Sequence, residues 1–591
     1  MTATPWGFRD ILPEEAQARE DIAQAVRDCL RRRGYQPVET PILEDKTSLE
    51  EGGRITDTPF KLFDDDGGLL VVRPDNTLPI VRLVSTRMRA GDLPLRLRYQ
   101  APVVREQPRY AARSRQFTQL GFELIGEGDT AGDLEVVTLA MDALRALGLA
   151  DAKIVCGSVR PFKALLDACE DRDLAAEVLG LVHANDFVGL DGRVAQSDAD
   201  PAVKRAICEL PRLHGGIEVL DRVDELLEAA GVKASATAEL RALVAGVAGR
   251  VGAADAAGAG DGAESATVAG TVPAGDPAPA IPLSFDFSIM NSFDYYTGLV
   301  LKAYAGNLPD AVGSGGRYDA IFDGKLGAGI SVPAAGFAFS LERLEGARDA
   351  AADAPAGDYA TARDTRGPLR IAVPKGSLKA GTLEALGAVG LDVSGLEDPG
   401  RHLIIQARDT QGGIGDVEFV IVRPTDAPAF VACGGADCGI CGRDSLIEAN
   451  LGLLQLVDLG FGTCRFIEAE PRANAGKAGR AYARRGSLRV ATKYPRIASA
   501  WYQSRGVNAD IVSLHGNIEL GPIVGMTDRI VDITATGTTL RENDLVITGE
   551  IMTCTARFFV NPGRARLDAR VRELADRLTA WRAASAEDDR H

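Results

Sequence analysis

Apolar residues in the N-terminal part of the chain follow two kinds of spacing. EEAQAREDIAQAVRDCLRRRGY, at residues 14–35, places its apolar side chains on one helical face. LRLRYQAPVVRE and FTQLGFELIG, at residues 95–106 and 117–126, are typical of strands. Because strands and helices do not alternate strictly here, the pattern favours an α+β fold with an antiparallel sheet.

Short apolar strands alternate with helical stretches in the C-terminal part. The strand-like runs are RIAVP, VEFVIV, SLRVAT, ADIVSL and RIVDI, and stretches such as IASAWYQSRG with helical spacing lie between them. This alternation is typical of an α/β fold, and it predicts largely parallel strands.

Two segments of biased composition divide the chain. Residues 245–282 are rich in Ala, Gly and Pro and lack the bulky apolar side chains that offset the entropy lost on ordering, so we expect mostly a mobile insertion. Residues 345–368 have the same character and precede a new apolar strand, as an interdomain linker does. The expected layout is one domain at 1–344, a linker at 345–368 and a second domain at 369–591.

Length and charge restrict the class of protein. A chain of 591 residues exceeds what one hydrophobic core usually holds, which predicts several globular domains. The net charge of −17 argues against a nucleic-acid or membrane partner, since such binding needs clustered Lys and Arg. The nine cysteines are scattered, and the sequence shows neither a signal peptide nor an apolar run of membrane-spanning length. We therefore expect a cytoplasmic location.

Cys433, Cys438 and Cys441 form a small cysteine cluster. A C-x-x-C pair can bind zinc or act as a redox pair, but zinc usually takes four ligands. No second C-x-x-C or histidine stands at a suitable spacing in the sequence, so a Gly-rich strand and turn is the favoured interpretation.

Arginine is unusually dense at residues 95–115, where six arginines accompany one acid, Glu106. In an acidic protein this density favours an anion site, although a solvated charged strand face has the same composition. Gln119 and Glu123 follow after a loop, at a spacing that places both on one face of a strand.

This order of arginine strand, loop and Gln119–Glu123 strand resembles motif 2 of class II aminoacyl-tRNA synthetases, most closely the histidyl enzyme. GYQPVETPILE around Pro41 resembles motif 1, which forms dimers, and GFAFSLERL, with Arg343 near its end, resembles motif 3. VRPDNT resembles the amino-acid-binding segment, and FDYYTG and VGSGGRYD resemble the two histidine-specific segments. The resemblance covers nearly all of residues 1–345.

Two departures from that family concern adenylate formation. Gln107 stands two residues after Arg105, where the synthetases have a Glu that holds the adenine amino group, and Asn291 replaces an arginine that stabilises developing charge. The anticodon-binding domain is also missing, so no tRNA partner is expected. These losses resemble the synthetase paralogue that serves as the regulatory subunit of ATP phosphoribosyltransferase. The resemblance implies a pocket for histidine or its imidazole, lined by Asp75, Thr77, Arg105, Gln119, Glu123, Tyr295 and Tyr296.

Cationic residues follow several strands of the C-terminal part. Lys375 and Gly376 stand where a strand enters a helix, Arg401 precedes another strand, and Arg423 ends an apolar run. Open α/β sheets bind ligands at strand carboxyl ends, and cations there suit an anionic ligand. A Pro-Lys-Gly turn without a ligand has the same local pattern.

The stretch VDITATGTTLREN, at residues 531–543, has Asp532 near a strand end and Gly537 among threonines. Glycine lets successive backbone amides converge, and threonine hydroxyls add donors, which together form an anion-binding nest. A plain Thr-Gly turn fits the local pattern equally well.

VDITATGTTLREN resembles the phosphoribosyl-pyrophosphate (PRPP) loop of ATP phosphoribosyltransferase. RIAVPKGSL, RPTDAP, GGADCGICGRDSLIE, VATKYPRIA and NIELGP resemble its other segments in the same order. Ser377 stands where arginine is usual, and Cys438 and Cys441 stand where Leu and Thr are common. The resemblance implies a two-lobed α/β fold similar to periplasmic binding proteins. The chain after the loop is too short for the regulatory domain of the long form, which predicts the short form that depends on a synthetase-like regulatory subunit.

The implied reaction is displacement of pyrophosphate from C1 of PRPP by N1 of ATP, with histidine as feedback inhibitor. The resemblance implies Mg²⁺ bound mainly through substrate, without dedicated protein ligands, and a homo-oligomer, since both halves belong to dimeric families. Lys375, Arg401 and Arg423 are expected to contact pyrophosphate or ATP phosphates. The implied PRPP-binding residues are Asp528, Asp532, Ala535, Thr536, Gly537, Thr538, Thr539 and Leu540.

Three alternatives stay open from the sequence. An active histidyl-tRNA synthetase-like enzyme would catalyse histidine-dependent ATP–pyrophosphate exchange. A non-catalytic binding module is possible because the lobes resemble solute-binding domains. An artificial join of two polypeptides would be revealed by the size of the protein in native cell extract.

Overall fold

The protein divides into two compact units, Met1–Asp358 and Tyr359–His591. The computed structural model describes residues 4–52, 59–107, 114–149, 151–169, 171–232, 237–257, 281–290, 296–306, 308–326, 330–352, 367–474, 476–534 and 537–588.

The first unit contains twelve strands and eleven α-helices within its described residues. The strands are β1 Gln36–Pro37, β2 Leu43–Asp45, β3 Lys61–Phe63, β4 Leu69–Val72, β5 Leu95–Val104, β6 Gln116–Ile125, β7 Lys153–Ser158, β8 His214–Gly215, β9 Leu283–Asp286, β10 Leu299–Tyr304, β11 Gly313–Arg317 and β12 Ala334–Ser340. The helices are α1 Pro13–Arg32, α2 Lys46–Gly52, α3 Thr77–Arg87, α4 Asp129–Ala146, α5 Arg160–Ala168, α6 Arg172–His183, α7 Phe187–Ala195, α8 Pro201–Glu209, α9 Val219–Ala229, α10 Ala238–Ala257 and α11 Leu341–Ala352.

A nine-stranded sheet in the order β1-β5-β6-β12-β11-β10-β7-β9-β8 forms the centre of the first unit. The five pairings from β5 to β7 are all antiparallel. The prediction of an α+β fold with an antiparallel sheet is therefore confirmed. A separate small sheet has the order β2-β4-β3.

Helix α1 shows how the sequence pattern becomes packing. It begins at Pro13, has two glutamates in its first turn and two arginines in its last, and so complements the helix dipole at both ends. Its buried side chains include Ile22, Val26 and Leu30, and the helix packs against α4 and α11. The helix also contacts β5 and β6 of the sheet. The apolar face that the sequence predicts is therefore the buried face.

The segments of biased composition lie mostly outside the described residues. Residues 245–257 belong to helix α10, so the first part of the expected insertion is helical, and residues 258–280 are not described. Residues 345–352 belong to α11, and residues 353–366 of the expected linker are not described.

The second unit contains eleven strands and ten α-helices within its described residues. The strands are β13 Leu369–Pro374, β14 Ile404–Arg408, β15 Asp416–Val422, β16 Cys438–Gly442, β17 Leu454–Asp458, β18 Cys464–Pro471, β19 Leu488–Thr492, β20 Ala509–Ser513, β21 Arg529–Thr534, β22 Leu545–Cys554 and β23 Ala556–Val560. The helices are α12 Lys379–Ala388, α13 Ser394–Glu397, α14 Ala427–Ala432, α15 Arg443–Ala449, α16 Lys477–Arg485, α17 Pro495–Ser504, α18 Leu520–Ile523, α19 Thr538–Glu542, α20 Pro562–Leu567 and α21 Ala569–Asp588.

These strands form two sheets, which we call the first and the second lobe. The first lobe has the order β14-β15-β13-β16-β23-β17, and the second has the order β20-β19-β21-β18-β22. Strands β15, β13 and β16 are parallel, as are β20, β19 and β21, but the flanking pairings are antiparallel. The expectation of largely parallel strands is therefore wrong in this respect: both sheets are mixed.

The mixed order has a structural cause in two crossovers between the lobes. Residues 459–463 lead from β17 to β18, and Thr555 alone separates β22 from β23. The crossovers hydrogen-bond to each other, since Ala556 N–H donates to Phe461 O at 2.9 Å and Leu459 N–H donates to Ala556 O at 3.0 Å. The chain thus leaves the first lobe and returns to it through one antiparallel ribbon.

Candidate functional site

A polar cavity of about 190 Å³ lies against β5, β6, β11 and β12 of the first unit. Six of the seven residues predicted for the histidine pocket line it, namely Asp75, Thr77, Arg105, Gln119, Glu123 and Tyr296. Tyr295, the seventh, lies outside the described residues, as does Asn291. The fold thus brings together residues from distant parts of the sequence.

Glu123 is the central acid of this cavity and is only 1% exposed. Its carboxylate accepts hydrogen bonds from the hydroxyls of Thr77 at 2.9 Å and Tyr99 at 3.3 Å, and from Tyr318. Burial raises the pKa of Glu123 to about 7, although the three hydroxyls act against this shift. The acid therefore changes charge near neutral pH.

Gln119 lies four residues before Glu123 on the same face of β6, as the alternation of side chains along a strand predicts. Its side-chain oxygen accepts hydrogen bonds from the backbone N–H and the side-chain amide of Asn76, at 3.1 and 2.8 Å. Asp75 accepts the backbone N–H of Leu78 at 3.0 Å, in the first turn of α3. These bonds fix the start of α3 against β6.

Arg105 and Tyr296 complete the predicted set. The Arg105 guanidinium donates from Nε to Pro74 O at 2.7 Å and lies 4.9 Å from the ring centroid of Phe117. Burial raises the pKa of Tyr296, with a further contribution from Glu123. The cavity therefore combines a cation, acids and aromatic rings, a set suited to a zwitterionic ligand with a ring.

Sequence reasoning did not single out Tyr99, Tyr318 and Gly336. A Cβ atom at Gly336 would lie 1.7 Å from Glu123 Oε2, so only glycine leaves room for the carboxylate. The sequence contained a usable signal, because Tyr318 lies within VGSGGRYD, one of the segments that resemble a histidine-specific motif. Its bond to Glu123 joins residues 195 positions apart in the sequence and needs the tertiary structure.

Two of the predicted cations of the second unit meet at one sheet edge. Pro374 of β13 pairs with Val422 of the parallel strand β15, so Lys375 and Arg423 follow at the same carboxyl edge. Lys375 N–H donates to Val422 O at 2.9 Å. This is the edge at which parallel sheets bind ligands.

Arg401 joins Lys375 across a cavity of about 360 Å³ in the first lobe. The cavity has an apolar wall that includes Leu383, Leu396 and Leu403, and Lys379 and His402 are further polar groups around it. Sequence reasoning gave these last two residues no role, although Lys379 directly follows RIAVPKGSL. Arg423 lies outside the lining of this cavity.

A second carboxyl edge lies in the second lobe. Thr492 of β19 pairs in parallel with Val531 of β21, which places Lys493 and Asp532 at the same edge. Burial raises the pKa of Asp532 to about 6; Glu519 adds to this shift and Lys493 opposes it. An acid and a lysine therefore stand together beside the predicted phosphate loop.

The loop itself is described in part. Ala535 and Thr536 lie outside the described residues, while Thr538 and Thr539 begin helix α19 and Leu540 is buried. Gly537 has φ of +71°, a left-handed conformation that favours glycine, and its N–H donates to Thr534 Oγ1 at 3.0 Å. This glycine lies three residues after the end of β21, the strand that bears Asp532.

Asp528, which the resemblance places among the PRPP-binding residues, lies at the other end of β21, away from this edge. It precedes β21 and lies four residues before Asp532, about 13 Å along an extended strand. Its carboxylate accepts hydrogen bonds from Arg489 N–H at 2.9 Å and Arg489 Nη2 at 3.0 Å, and pairs with Arg485. These bonds hold the amino ends of β19 and β21 together.

Asp444 connects the two lobes electrostatically. It lies in the first turn of α15, directly after β16 of the first lobe. Burial raises the pKa of the Asp444 carboxyl, and Lys493 of the second lobe acts against that shift. Glu448 of the same helix accepts the backbone N–H groups of Arg496 and Ile497 at the start of α17, so the carboxyl edges of both lobes face a common cleft. Asp444 is a residue of this cleft that sequence reasoning missed.

The described residues hold no group of three His, Cys, Asp or Glu side chains that could bind a metal ion. Cys438 and Cys441 are buried in β16, and burial raises the pKa of both thiols. Every helix in the described ranges is too short or too polar to span a bilayer.

Comparison with known proteins gives two families in one chain. The family model of histidyl-tRNA synthetase matches residues 7–344, and that of ATP phosphoribosyltransferase matches residues 423–580. The ATP phosphoribosyltransferase of Rubrobacter xylanophilus is 48% identical over 199 residues, which cover 34% of this chain and 89% of that protein.

The N-terminal part has its own relatives. The ATP phosphoribosyltransferase regulatory subunit of Moorella thermoacetica is 35% identical over 362 residues, which cover 61% of this chain and 85% of that protein. A crystal structure of an ATP phosphoribosyltransferase regulatory subunit/histidyl-tRNA synthetase from Bacillus halodurans is 27% identical, covers 66% of this chain and 89% of that one, and has a TM-score of 0.48.

The two sequence relatives are each covered over most of their length. The two family models match residues on opposite sides of the boundary between the two units. The chain therefore belongs to the histidyl-tRNA synthetase-like family of ATP phosphoribosyltransferase regulatory subunits through its N-terminal part and to the ATP phosphoribosyltransferases of histidine biosynthesis through its C-terminal part.

Proposed function

We propose that the cleft between the two lobes binds ATP and PRPP and that the Glu123 cavity binds histidine as a feedback inhibitor. The observation that carries this proposal is the contact between the two carboxyl edges: Glu448 of α15, in the first lobe, accepts the backbone N–H of Arg496 at 2.9 Å, at the start of α17 in the second lobe. In this reading the regulatory domain spans residues 1–344, the linker 345–368 and the catalytic domain 369–591.

PRPP binds at the edge of the second lobe. Asp532 accepts hydrogen bonds from the ribose hydroxyls, and Lys493 beside it meets the charge of the pyrophosphate. The backbone amides and hydroxyls of the loop hold the 5′-phosphate. The loop residues assigned to this role are Ala535, Thr536, Gly537, Thr538, Thr539 and Leu540.

ATP binds at the edge of the first lobe. The apolar wall of the 360 Å³ cavity suits a purine ring, and Lys375 and Arg401 beside it suit phosphates. Arg423, one strand further along the edge, contacts phosphate or pyrophosphate oxygens. This arrangement supports the placement of two polyanions on opposite sides of one cleft.

The reaction needs no protein nucleophile. N1 of the adenine attacks C1 of PRPP as the bond from C1 to the pyrophosphate oxygen breaks. The residues of the cleft hold the reactants in line and offset the charge of the departing pyrophosphate. Positioning and charge therefore account for the catalysis.

We infer Mg²⁺ as the metal ion, bound through the pyrophosphate oxygens of PRPP. The described residues fit this role: Asp532 and Glu519 are two neighbouring oxygen donors rather than a complete ligand set. Mg²⁺ on the pyrophosphate would neutralise part of the leaving-group charge.

Histidine fits the Glu123 cavity by chemistry and size. A carboxylate with a pKa of about 7 can accept a hydrogen bond from an imidazole N–H, and Arg105 and Asp75 can meet the α-carboxylate and α-amino groups. Occupancy of the cavity would favour a less active state of the catalytic unit.

The test is PRPP- and ATP-dependent formation of phosphoribosyl-ATP by the full chain, with histidine titrated against the wild type and Glu123→Gln. We expect transfer by both proteins and at least tenfold weaker inhibition in the variant. Glu135→Gln is the matched control, because Glu135 accepts hydrogen bonds from Tyr35 and Arg96 outside the cavity. Equal inhibition of wild type and Glu123→Gln would place histidine elsewhere, and absence of transfer would overturn the catalytic assignment.

We also infer a cytoplasmic homo-oligomer. Phe63, which is 79% exposed, and its neighbour Leu62 present apolar side chains on the small sheet of the first unit, a feature that supports association between copies. Sedimentation of the wild type and of Phe63→Glu tests this inference, and a monomeric wild type would contradict it.

A further inference from the structure

Two cysteines face each other where the chain crosses between the lobes. Cys464 is the first residue of β18 and Cys554 is the last residue of β22. The two are directly opposed in the antiparallel pairing of these strands. They therefore lie at the second-lobe end of the ribbon that joins the lobes.

The backbone geometry suits a disulfide. Opposed residues in antiparallel strands have Cα atoms about 4.5 or 5.5 Å apart, depending on the type of pair. Disulfides join Cα atoms about 4.4–6.8 Å apart. Either type of pair thus lies within reach without displacement of the strands.

The two thiols differ in a way that assigns roles. Cys464 is partly exposed and Cys554 is buried in the core with Phe466, Tyr494 and Val531. A hydrogen bond from Cys554 lowers the pKa of Cys464, and the same bond raises that of Cys554. Cys464 is therefore the accessible nucleophile and Cys554 the resolving thiol.

We propose that Cys464 and Cys554 form a reversible intramolecular disulfide, by exchange with a small-molecule disulfide, and that this bond restrains the motion between the lobes. The Cys464 thiolate attacks one sulfur of the reagent and releases one thiolate. The Cys554 thiolate then attacks Cys464 in the mixed disulfide and releases the second, so that two protein thiols become one disulfide and the reagent becomes two thiols.

The position of the pair connects the bond to activity. Cys554 and Tyr494, the residue after Lys493, belong to one buried cluster, and Cys464 packs against it. The bond would also close a chain loop that contains the rest of the second lobe. A crosslink here would fix the ribbon about which the lobes must move to enclose two substrates.

The experiment uses the full chain, reduced and then incubated with oxidised glutathione. Peptide mass spectrometry under non-reducing conditions should show a Cys464–Cys554 crosslink. Turnover should fall at least threefold and recover on addition of a thiol reductant, and the thermal midpoint of the second unit should rise. Cys464→Ser should lose the crosslink and the turnover change together.

Cys433→Ser is the control, because Cys433 is exposed and lies on the first lobe; it should respond to oxidation as the wild type does. If Cys464→Ser fails to fold, differential alkylation of the wild type before and after oxidation still reports on both thiols. Absence of the crosslink in folded protein, or a crosslink without a change in turnover, would overturn the proposal.

Discussion

Glu448 of helix α15 accepts the backbone N–H of Ile497, at 3.2 Å, in the first turn of helix α17. The same carboxylate accepts the N–H of Arg496 at 2.9 Å. Helix α15 belongs to the first lobe and α17 to the second. A side chain of one lobe therefore caps a helix of the other. Tyr494, the residue at the N-cap position of α17, forms no capping hydrogen bond with its own side chain.

Glu448→Ala should loosen the start of α17, because two backbone donors lose their acceptor. Loss of a helix cap costs about 1 kcal/mol, or roughly a fivefold change in local opening. Hydrogen exchange in the peptide that covers residues 495–504 should accelerate accordingly, and turnover should fall. Glu550→Ala is the control, since Glu550 forms an exposed ion pair with Arg465; unchanged exchange in Glu448→Ala would show that the cap is unimportant.

Asp532→Asn should reduce turnover roughly ten- to hundredfold, because a hydrogen bond to a charged group contributes about 1.5–3 kcal/mol. The pKa of Asp532 is raised to about 6, so kcat/KM of the wild type should rise with pH through about 6 as the carboxylate forms. The variant should lack this rise. Steady-state kinetics from pH 5 to 8 tests both statements.

Asp528→Asn serves as the comparison for that prediction. Asp528 pairs with Arg489 at the opposite end of β21, so the variant should lose stability but keep the pH profile of the wild type. A loss of the rise near pH 6 in Asp528→Asn would contradict the assignment of the two acids.

Gly537→Val should abolish most phosphoribosyl transfer while the protein stays folded. The glycine has φ of +71°, which a β-branched residue rarely adopts, so the loop must change its path. Gly506→Val is a matched control, because Gly506 has φ of +64° and open space around it. Transfer assays and circular dichroism on both variants provide the measurement; near-normal transfer by Gly537→Val would remove the loop from the site.

The stability of the first unit should depend on pH through Glu123. Its pKa is about 7 in the folded protein and near 4.5 when exposed, so the folded state holds a proton that the unfolded state releases within this window. The stabilising contribution is present below about pH 4.5 and is lost as the pH rises to about 7. The thermal midpoint of the wild type should therefore fall relative to that of Glu123→Gln across this range.

The stability that Glu135 contributes should have the opposite pH dependence. The thermal midpoint of the wild type should fall relative to that of Glu135→Gln as the pH is lowered. Burial raises the pKa of Glu135, but hydrogen bonds from Arg96 and Tyr35 outweigh it and hold that pKa below its usual value. Its contribution is present above the unfolded pKa and is lost as the pH falls through the folded one. For each variant, the measurement is the difference in thermal midpoint from the wild type as a function of pH. If this difference changed in the same direction for Glu123→Gln and Glu135→Gln, the two assignments would be contradicted.

Local periodicity explains what could be predicted for the first unit. Gln119 and Glu123 share a strand face because side chains alternate with a period of two, and this needs no knowledge of the rest of the fold. The structure places both in one cavity. Tyr318, whose hydroxyl donates to Glu123, could not be predicted, because the contact depends on the order of strands in the sheet.

The two acids of β21 show the same limit in the second unit. Asp528 directly precedes this apolar strand and Asp532 lies within it, and the sequence offers both as candidate ligands. Parallel pairing with β19 decides that Asp532 stands at the carboxyl edge and Asp528 at the amino end. The direction of neighbouring strands is set by the packing of the whole lobe, which a local pattern does not contain.

The sequence by itself determined the two families, the order of their motifs and the elements that bear the candidate residues, because periodicity and motif spacing are properties of the chain. The tertiary structure alone decided the mixed sheets, the environment that gives Glu123 a pKa near 7, the opposition of Cys464 and Cys554, and the cap that Glu448 provides for α17. Each of these depends on register and burial between segments distant in sequence, and those are fixed only when the lobes pack.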